Sequence, residues 1–219
     1  MNHTRQLDIL NPELIIFPIT IIGCGGIGSP TAITLAKVGC QNLTLIDPDE
    51  VEEHNLPNQF FRLSDIDKTK VRACQGIISQ FTECSIRIVP ELFIDQNLSG
   101  VVISGVDSMK ARKNIWSKIR YNLEVPLYID GRIGGETLEI FTIRPNQLED
   151  IEFYEQWLFT DEETAELPCT ARAIMYTGFI IGGLISSQLK KWLKQEEYYK
   201  RLNFDLVTMT QVLQQKVEP

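Results

Sequence analysis

The stretch Ile19–Ser29, ITIIGCGGIGS, limits what this chain can fold into more than any other part of it. A short apolar run, Ile19 to Ile22, leads into Gly23-Cys24-Gly25-Gly26-Ile27-Gly28, and a helix-compatible segment, SPTAITLAKVGC, follows. A buried strand that feeds a glycine turn and then a helix opens a βαβ unit, in which backbone N–H groups and the helix N-terminus face a phosphate. Gly23, Gly25, Gly26 and Gly28 are therefore candidate phosphate contacts. NAD, FAD and ATP all carry phosphates, so the turn predicts nucleotide binding and leaves the reaction open.

The rest of the chain extends that unit. LTLID, from Leu43 to Asp47, reads as the second strand. Asp47 lies 24 positions after Gly23, at a strand end where a carboxylate accepts hydrogen bonds from ribose hydroxyls; an Asp that merely forms the turn before Pro48 is the alternative. DKTKVRACQGIISQF spaces Val71, Cys74, Ile77, Ile78 and Phe81 as one face of an amphipathic helix. SIRIVP and VVISGVD read as parallel strands, SMKARKNIWSKIRYNL as a helix, and PLYID as a strand ending at Asp130. ETLEIFTI, from Glu136 to Ile143, alternates apolar and polar like an antiparallel strand. DIEFYEQWLFTDEETAEL has no clean period and reads as a mobile connection, after which a long apolar helix begins near Thr170; LNFDLVTM is the last strand before a polar tail. The predicted fold class is α/β: a Rossmann-like mixed sheet with a parallel N-terminal βαβ part and antiparallel C-terminal strands, in one domain over residues 1–219.

Composition narrows the partners. A net charge of -8 argues against a surface built to coat nucleic acid. The five cysteines are odd in number and contain no Cys-x-x-Cys pair, which disfavours a disulfide framework and a structural zinc site and points to a reducing cytoplasm. The N-terminus lacks the basic and apolar regions of a signal peptide. Ile174 to Leu189 is nearly uncharged but shorter than the roughly 20 residues of a membrane span, and its glycines, serines and glutamine predict a packed core helix, with no membrane partner.

Several separated motifs then occur in order: DPDEVEEHNLPNQFF, Lys70 inside DIDKTKVRA, and GVDSMKARKN. Together they resemble the ThiF, MoeB and HesA family, whose nucleotide-binding domain also occurs in ubiquitin-activating enzymes, over nearly the whole chain. The resemblance implies ATP with Mg2+. In that family the C-terminal carboxylate of a small ubiquitin-like or sulfur-carrier protein attacks the α-phosphate, giving an acyl adenylate and pyrophosphate. Such chemistry needs a cation at the α-phosphate and a carboxylate for the metal. By resemblance Lys70 supplies the cation and Asp107 the metal ligand; taken singly, a solvated surface lysine and a helix-capping aspartate are the alternatives. Asn55 and Gln59 match the family's Asn-Leu-x-x-Gln element, and Arg112 an arginine soon after the metal aspartate. Arg5, in RQLDILNP, resembles an N-terminal arginine that reaches ATP in the partner subunit of a homodimer, with the Ile174–Leu189 helix at or near the subunit contact. Cys169, in ELPCTARAI, matches a crossover cysteine that takes the activated acyl group in some relatives; a helix N-terminus and Arg172 would lower its pKa, while a buried packing role is the alternative.

The chain also departs from the pattern. Many members carry arginine directly before the motif glutamine, where Asn58 stands here, which leaves Arg62 or Arg132 to supply the phosphate clamp. With no zinc-binding cysteine pair and no appended rhodanese or ubiquitin-fold domain, the expectation is a minimal activator. Competing readings are adenylation of a carboxylate on a modified tRNA base, an NAD-dependent oxidoreductase on the same glycine turn, and a nucleotide-binding partner without activity; Lys70 and Asp107 count against the last.

Overall fold

The protein is described by a computed structural model, over residues 1–159 and 173–218. The apolar run before the glycine turn is strand β1 (Ile19–Ile22), and α1 (Gly28–Val38) follows the turn. β2 (Asn42–Ile46), α2 (Lys70–Ile78), β3 (Ser85–Val89), β4 (Val101–Ser104), α3 (Met109–Ile119) and β5 (Leu127–Gly134) continue the alternation. Then come β6 (Thr137–Ile143), α4 (Leu148–Glu155), α5 (Met175–Leu193), β7 (Tyr198–Asp205) and β8 (Thr210–Val217). The eight strands form one sheet in the order β3-β2-β1-β4-β5-β6-β7-β8. Pairing is parallel from β3 to β5 and antiparallel from β5 to β8, which is the mixed sheet the sequence predicts.

Side-chain alternation along the strands feeds two cores. On one face Ile19, Ile21, Leu43, Leu45 and Ile103 pack under α1, α2 and α5. On the other, Ile22, Val102, Tyr128 and Phe141 meet Trp116 of α3 and Tyr154 of α4. Small residues let α5 lie directly on α1: a Cβ at Gly182 would come within 3.1 Å of the Pro30 carbonyl carbon.

Three expectations need correction. The acidic stretch is not connection throughout, because its first part is α4, which buries Ile151, Phe153 and Tyr154. The polar tail is β8, paired along β7, and the Asp205 carboxylate accepts from Val207 N and Thr208 N in the turn between them. The α2 helix stops at Ile78, so Phe81 is half exposed and lies beneath the Lys37 ammonium instead of in the core. Among the described residues no helix is long and apolar enough to cross a membrane.

Candidate active site

In the sheet, β2 and β3 lie on one side of β1, and β4 and β5 on the other. The loops after β1, β2 and β4 therefore open a crevice at the carboxyl ends of the strands, where open α/β sheets hold their ligands. The glycine turn enters this crevice under close constraint. Gly23 has φ +89°, and a Cβ there would stand 2.8 Å from the Gly105 carbonyl on the loop after β4. At Gly28 a Cβ would fall 1.8 Å from Gly23 O, so a side chain at either position would push the turn apart. The N-cap residue of α1 is Ile27, whose side chain cannot cap it, so the positive end of the helix dipole faces the crevice.

Asp47 is buried at the end of β2 and bonds backbone on both sides: Oδ2 accepts from Cys24 N at 2.6 Å and Oδ1 from Asp49 N at 2.8 Å. It thereby pins the glycine turn to the β2 loop. Burial raises its pKa, and the two N–H bonds oppose that shift. The carboxylate that projects from this loop is Asp49, with 61% of its side chain exposed, and it accepts a bond from Lys70 Nζ at 2.7 Å. Sequence reasoning passed over Asp49, whose signal was the second acid of Asp-Pro-Asp. Lys70 is the first residue of α2 and is buried, so its ammonium is held in the crevice by packing and not solvated on a surface.

Asp107 follows β4 and is exposed, and among the described residues it makes no ion pair or hydrogen bond. The N-cap of α3 is Ser108, whose Oγ accepts from Ala111 N at 3.2 Å, so helix capping does not occupy the Asp107 carboxylate. A hard oxygen donor left free in this way suits Mg2+, which binds through one or two carboxylates together with substrate phosphates. Among the described residues no three His, Cys, Asp or Glu side chains cluster as a self-sufficient metal cage.

The loop after β2 roofs the turn. Asn55 Oδ1 accepts from Glu52 N at 2.9 Å and so stabilises its own loop. The Gln59 amide lies 3.7 Å from where a Gly25 Cβ would be, and Asn58 O is 3.1 Å from the corresponding point on Gly26. Among the described residues, Gln59 Oε1 and Asn58 Oδ1 are both buried without a hydrogen-bond partner. Buried polar groups normally find partners, so two orphaned amides above a glycine turn mark a place for a polar ligand.

The arginines sit elsewhere. Arg112 is buried and tied to its surroundings, with Nε donating to Asp130 Oδ1 at 3.0 Å and a terminal N–H donating to Val106 O at 2.6 Å. Arg132 donates to Asp130 Oδ2 at 2.8 Å, and Arg62 to Asp65 Oδ2 at 2.7 Å. Both arginines proposed for the clamp are thus committed to carboxylates. Arg5 is exposed on a short turn whose neighbour Gln6 donates to Val38 O at the far end of α1, about 15 Å of helix rise from the glycine turn. Cys169 and Arg172 lie outside the described residues. The structure therefore gathers Gly23, Gly25, Gly26, Gly28, Asp47, Gln59 and Lys70 at one crevice, with Asp107 on the loop beside it. It leaves Arg5 outside and Arg112 beneath.

Comparison with known proteins bears on this arrangement. Residues 14–218 match the ThiF family. Over 157 residues the chain is 32% identical to the sulfur carrier protein ThiS adenylyltransferase of Escherichia coli K12, a match that takes in 65% of this chain and 62% of that protein. Over 127 residues it is 30% identical to the tRNA threonylcarbamoyladenosine dehydratase of the same organism, covering 54% of this chain and 47% of that one. The chain thus spans less than two thirds of the length of these curated relatives. The crystal structure of E. coli MccB with ATP is similar in fold, with a TM-score of 0.74 at 18% identity over 99% of this chain and 71% of that one.

Proposed function

For a chain that belongs to the ThiF family, we propose an ATP- and Mg2+-dependent adenylyltransferase that activates the C-terminal carboxylate of a small ubiquitin-like or sulfur-carrier protein. The observation that carries this reading is the pairing of a buried Lys70, held to Asp49 at 2.7 Å, with an exposed Asp107 carboxylate on the loop after β4 that makes no bond among the described residues. A hydride-transfer site needs neither, so the NAD reading has no residue to support it. The adenylyltransferase relative from E. coli supports the same direction.

In the proposed reaction a carrier carboxylate oxygen attacks the α-phosphorus, the bond to the bridging oxygen of the β-phosphate breaks, and pyrophosphate leaves with the electron pair. The glycine turn and the N-terminus of α1 hold phosphate oxygens, and Lys70 stabilises charge that develops at the α-phosphate. Asp107 would hold Mg2+, which neutralises the polyphosphate when bound. Gln59 and Asn58 offer their unpaired amides to the nucleotide, and Asp47 keeps the turn in place. Cys169 remains the candidate for a later covalent adduct with the acyl group.

We further propose a homodimer. Tyr176, Phe179 and Ile180 form an exposed apolar stripe on α5, and Arg5 lies too far from its own glycine turn to serve it. ATP–pyrophosphate exchange tests the main reading: it should start on addition of a carrier ending in Gly-Gly. A protein that binds NAD at micromolar concentration and ignores ATP would overturn it. The tRNA-base reading rests on the dehydratase relative and would be favoured instead if exchange responded to modified tRNA.

A further inference from the structure

Asp130 is fully buried in β5, opposite Ser104 at the end of β4. Three donors converge on its carboxylate: Arg112 Nε on Oδ1 at 3.0 Å, and Arg132 Nε at 2.8 Å and the Tyr154 hydroxyl at 2.9 Å on Oδ2. Burial works against its ionisation, but the two guanidinium groups prevail and hold its pKa below the ordinary carboxylate value. The two arginines also reach three backbone carbonyls, one of them Gly131 O, to which Arg112 donates at 3.3 Å. Arg112 donates to Val106 O at 2.6 Å, the residue immediately before Asp107, and Arg132 donates to Trp157 O at 3.1 Å, just after α4. Stability alone does not call for such a buried triad, because well-packed apolar residues of similar volume serve as well or better. What apolar residues cannot do is fix these carbonyls from one point.

We propose that Asp130 is a positioning residue for the metal carboxylate: through Arg112 it clamps the Val106 carbonyl and so aims Asp107, and through Arg132 it ties the same joint to the segment after α4. The inference rests on the reading of Asp107 as the Mg2+ ligand. Asp107 itself has no partner among the described residues, so its aim is set by the backbone that carries it. A bond made before the ion arrives removes conformational freedom that metal binding would otherwise have to remove.

The test is Arg112→Lys in the full chain, with ATP binding followed by calorimetry at a series of Mg2+ concentrations. A lysine ammonium can pair with Asp130 or reach Val106 O, but it lacks the fork that does both. The Mg2+ concentration for half-maximal enhancement of ATP binding should rise about tenfold, the scale of losing one charge-assisted hydrogen bond. Tyr154→Phe removes one bond to Asp130 and keeps the ring, so it should shift the same midpoint about threefold in the same direction, and it stands as the test should Arg112→Lys fail to fold. Circular dichroism establishes folding for each variant. Folded variants with the wild-type Mg2+ midpoint would overturn the positioning role while leaving the adenylation reading intact. Wild-type ATP binding that takes no notice of Mg2+ would overturn both.

Discussion

Gly178 and Gly76 make a matched pair for testing how α5 meets the nucleotide turn. Each lies inside a helix, and Ala for Gly in a helix interior gains about 0.8–1 kcal/mol from backbone propensity. At Gly76 the nearest foreign atom to a built Cβ is a terminal nitrogen of the flexible Arg62 side chain at 3.6 Å, an ordinary contact. At Gly178 the built Cβ stands 2.5 Å from Gly26 O, a backbone atom of the glycine turn, and 3.5 Å from Pro30 Cγ. Relieving that overlap means moving α5 or the turn, and overpacking of this kind costs about 1–3 kcal/mol. Gly76→Ala should therefore stabilise by about 0.5–1 kcal/mol, while Gly178→Ala, whose overlap is with a backbone atom and belongs at the upper end of that cost, about 2–3 kcal/mol, should destabilise by about 1–2 kcal/mol after its propensity gain is subtracted. For a chain of this size that separates the two melting temperatures by roughly 4–10 °C. Thermal unfolding by circular dichroism gives the first readout and titration with MgATP the second, because only Gly178→Ala displaces a residue of the turn. A Gly178→Ala protein that melts at or above wild type and binds ATP unchanged would refute the contact between α5 and Gly26.

Three further outcomes are expected. Lys70→Ala should slow pyrophosphate exchange by roughly 10- to 1000-fold, and Asp107→Ala should abolish it without lowering the melting temperature; full exchange by either would remove that residue from the site. Burial disfavours the Asp65 charge, yet bonds from Arg62 and Lys68 hold its carboxyl at about 2, below the ordinary 3.8. A depressed folded pKa gives a contribution that is complete above about pH 4 and is lost as pH falls through 2. With Arg62 and Lys68 both more than a third exposed, it is worth about 1 kcal/mol; Asp65→Asn should flatten the acid limb of urea midpoints measured from pH 5 to 2, and an unchanged slope would count against the pairing. Light scattering should show a dimer at micromolar concentration that Phe179→Ser weakens, whereas a fully active 25.0 kDa monomer would exclude the role of Arg5 across the contact.

The parallel half of the fold was legible because its central strands β1 and β4 are buried on both faces, and the glycine turn marks where the first helix begins. α4 was not, since two turns give too short a window for a period and its Glu-rich outer face dominates the composition. β8 is an edge strand exposed along nearly all its length, so no apolar alternation announces it; the one local cue was Asp205 holding the turn before it. At the site, spacing found the Asp-Pro-Asp loop but cannot say which acid turns inward. The backbone decides that, giving Asp47 to Cys24 N and leaving Asp49 for Lys70. Arg112 was found by resemblance, yet its partner Asp130 lies 18 residues on in a different element, β5, and a one-dimensional pattern carries no sign of such a pairing.

The charge balance around the turn explains why the loss of arginine at Asn58 matters. A triphosphate needs cations near it, and Arg62 and Arg132 are each neutralised by a buried carboxylate, Asp65 and Asp130. Turning either arginine outward would take a bond from a buried carboxylate and leave it to one remaining cation, Lys68 at Asp65 or Arg112 at Asp130. Substitution at Asn58 is therefore not repaired by a neighbouring arginine turning toward the crevice. In the proposed assembly the positive field comes from Lys70, the N-terminus of α1 and Mg2+, with Arg5 of a second copy a further source among the described residues. A site that depends on a second copy for one of its cations should bind ATP more weakly as the dimer is diluted, which makes oligomeric state and nucleotide affinity two readings of one equilibrium.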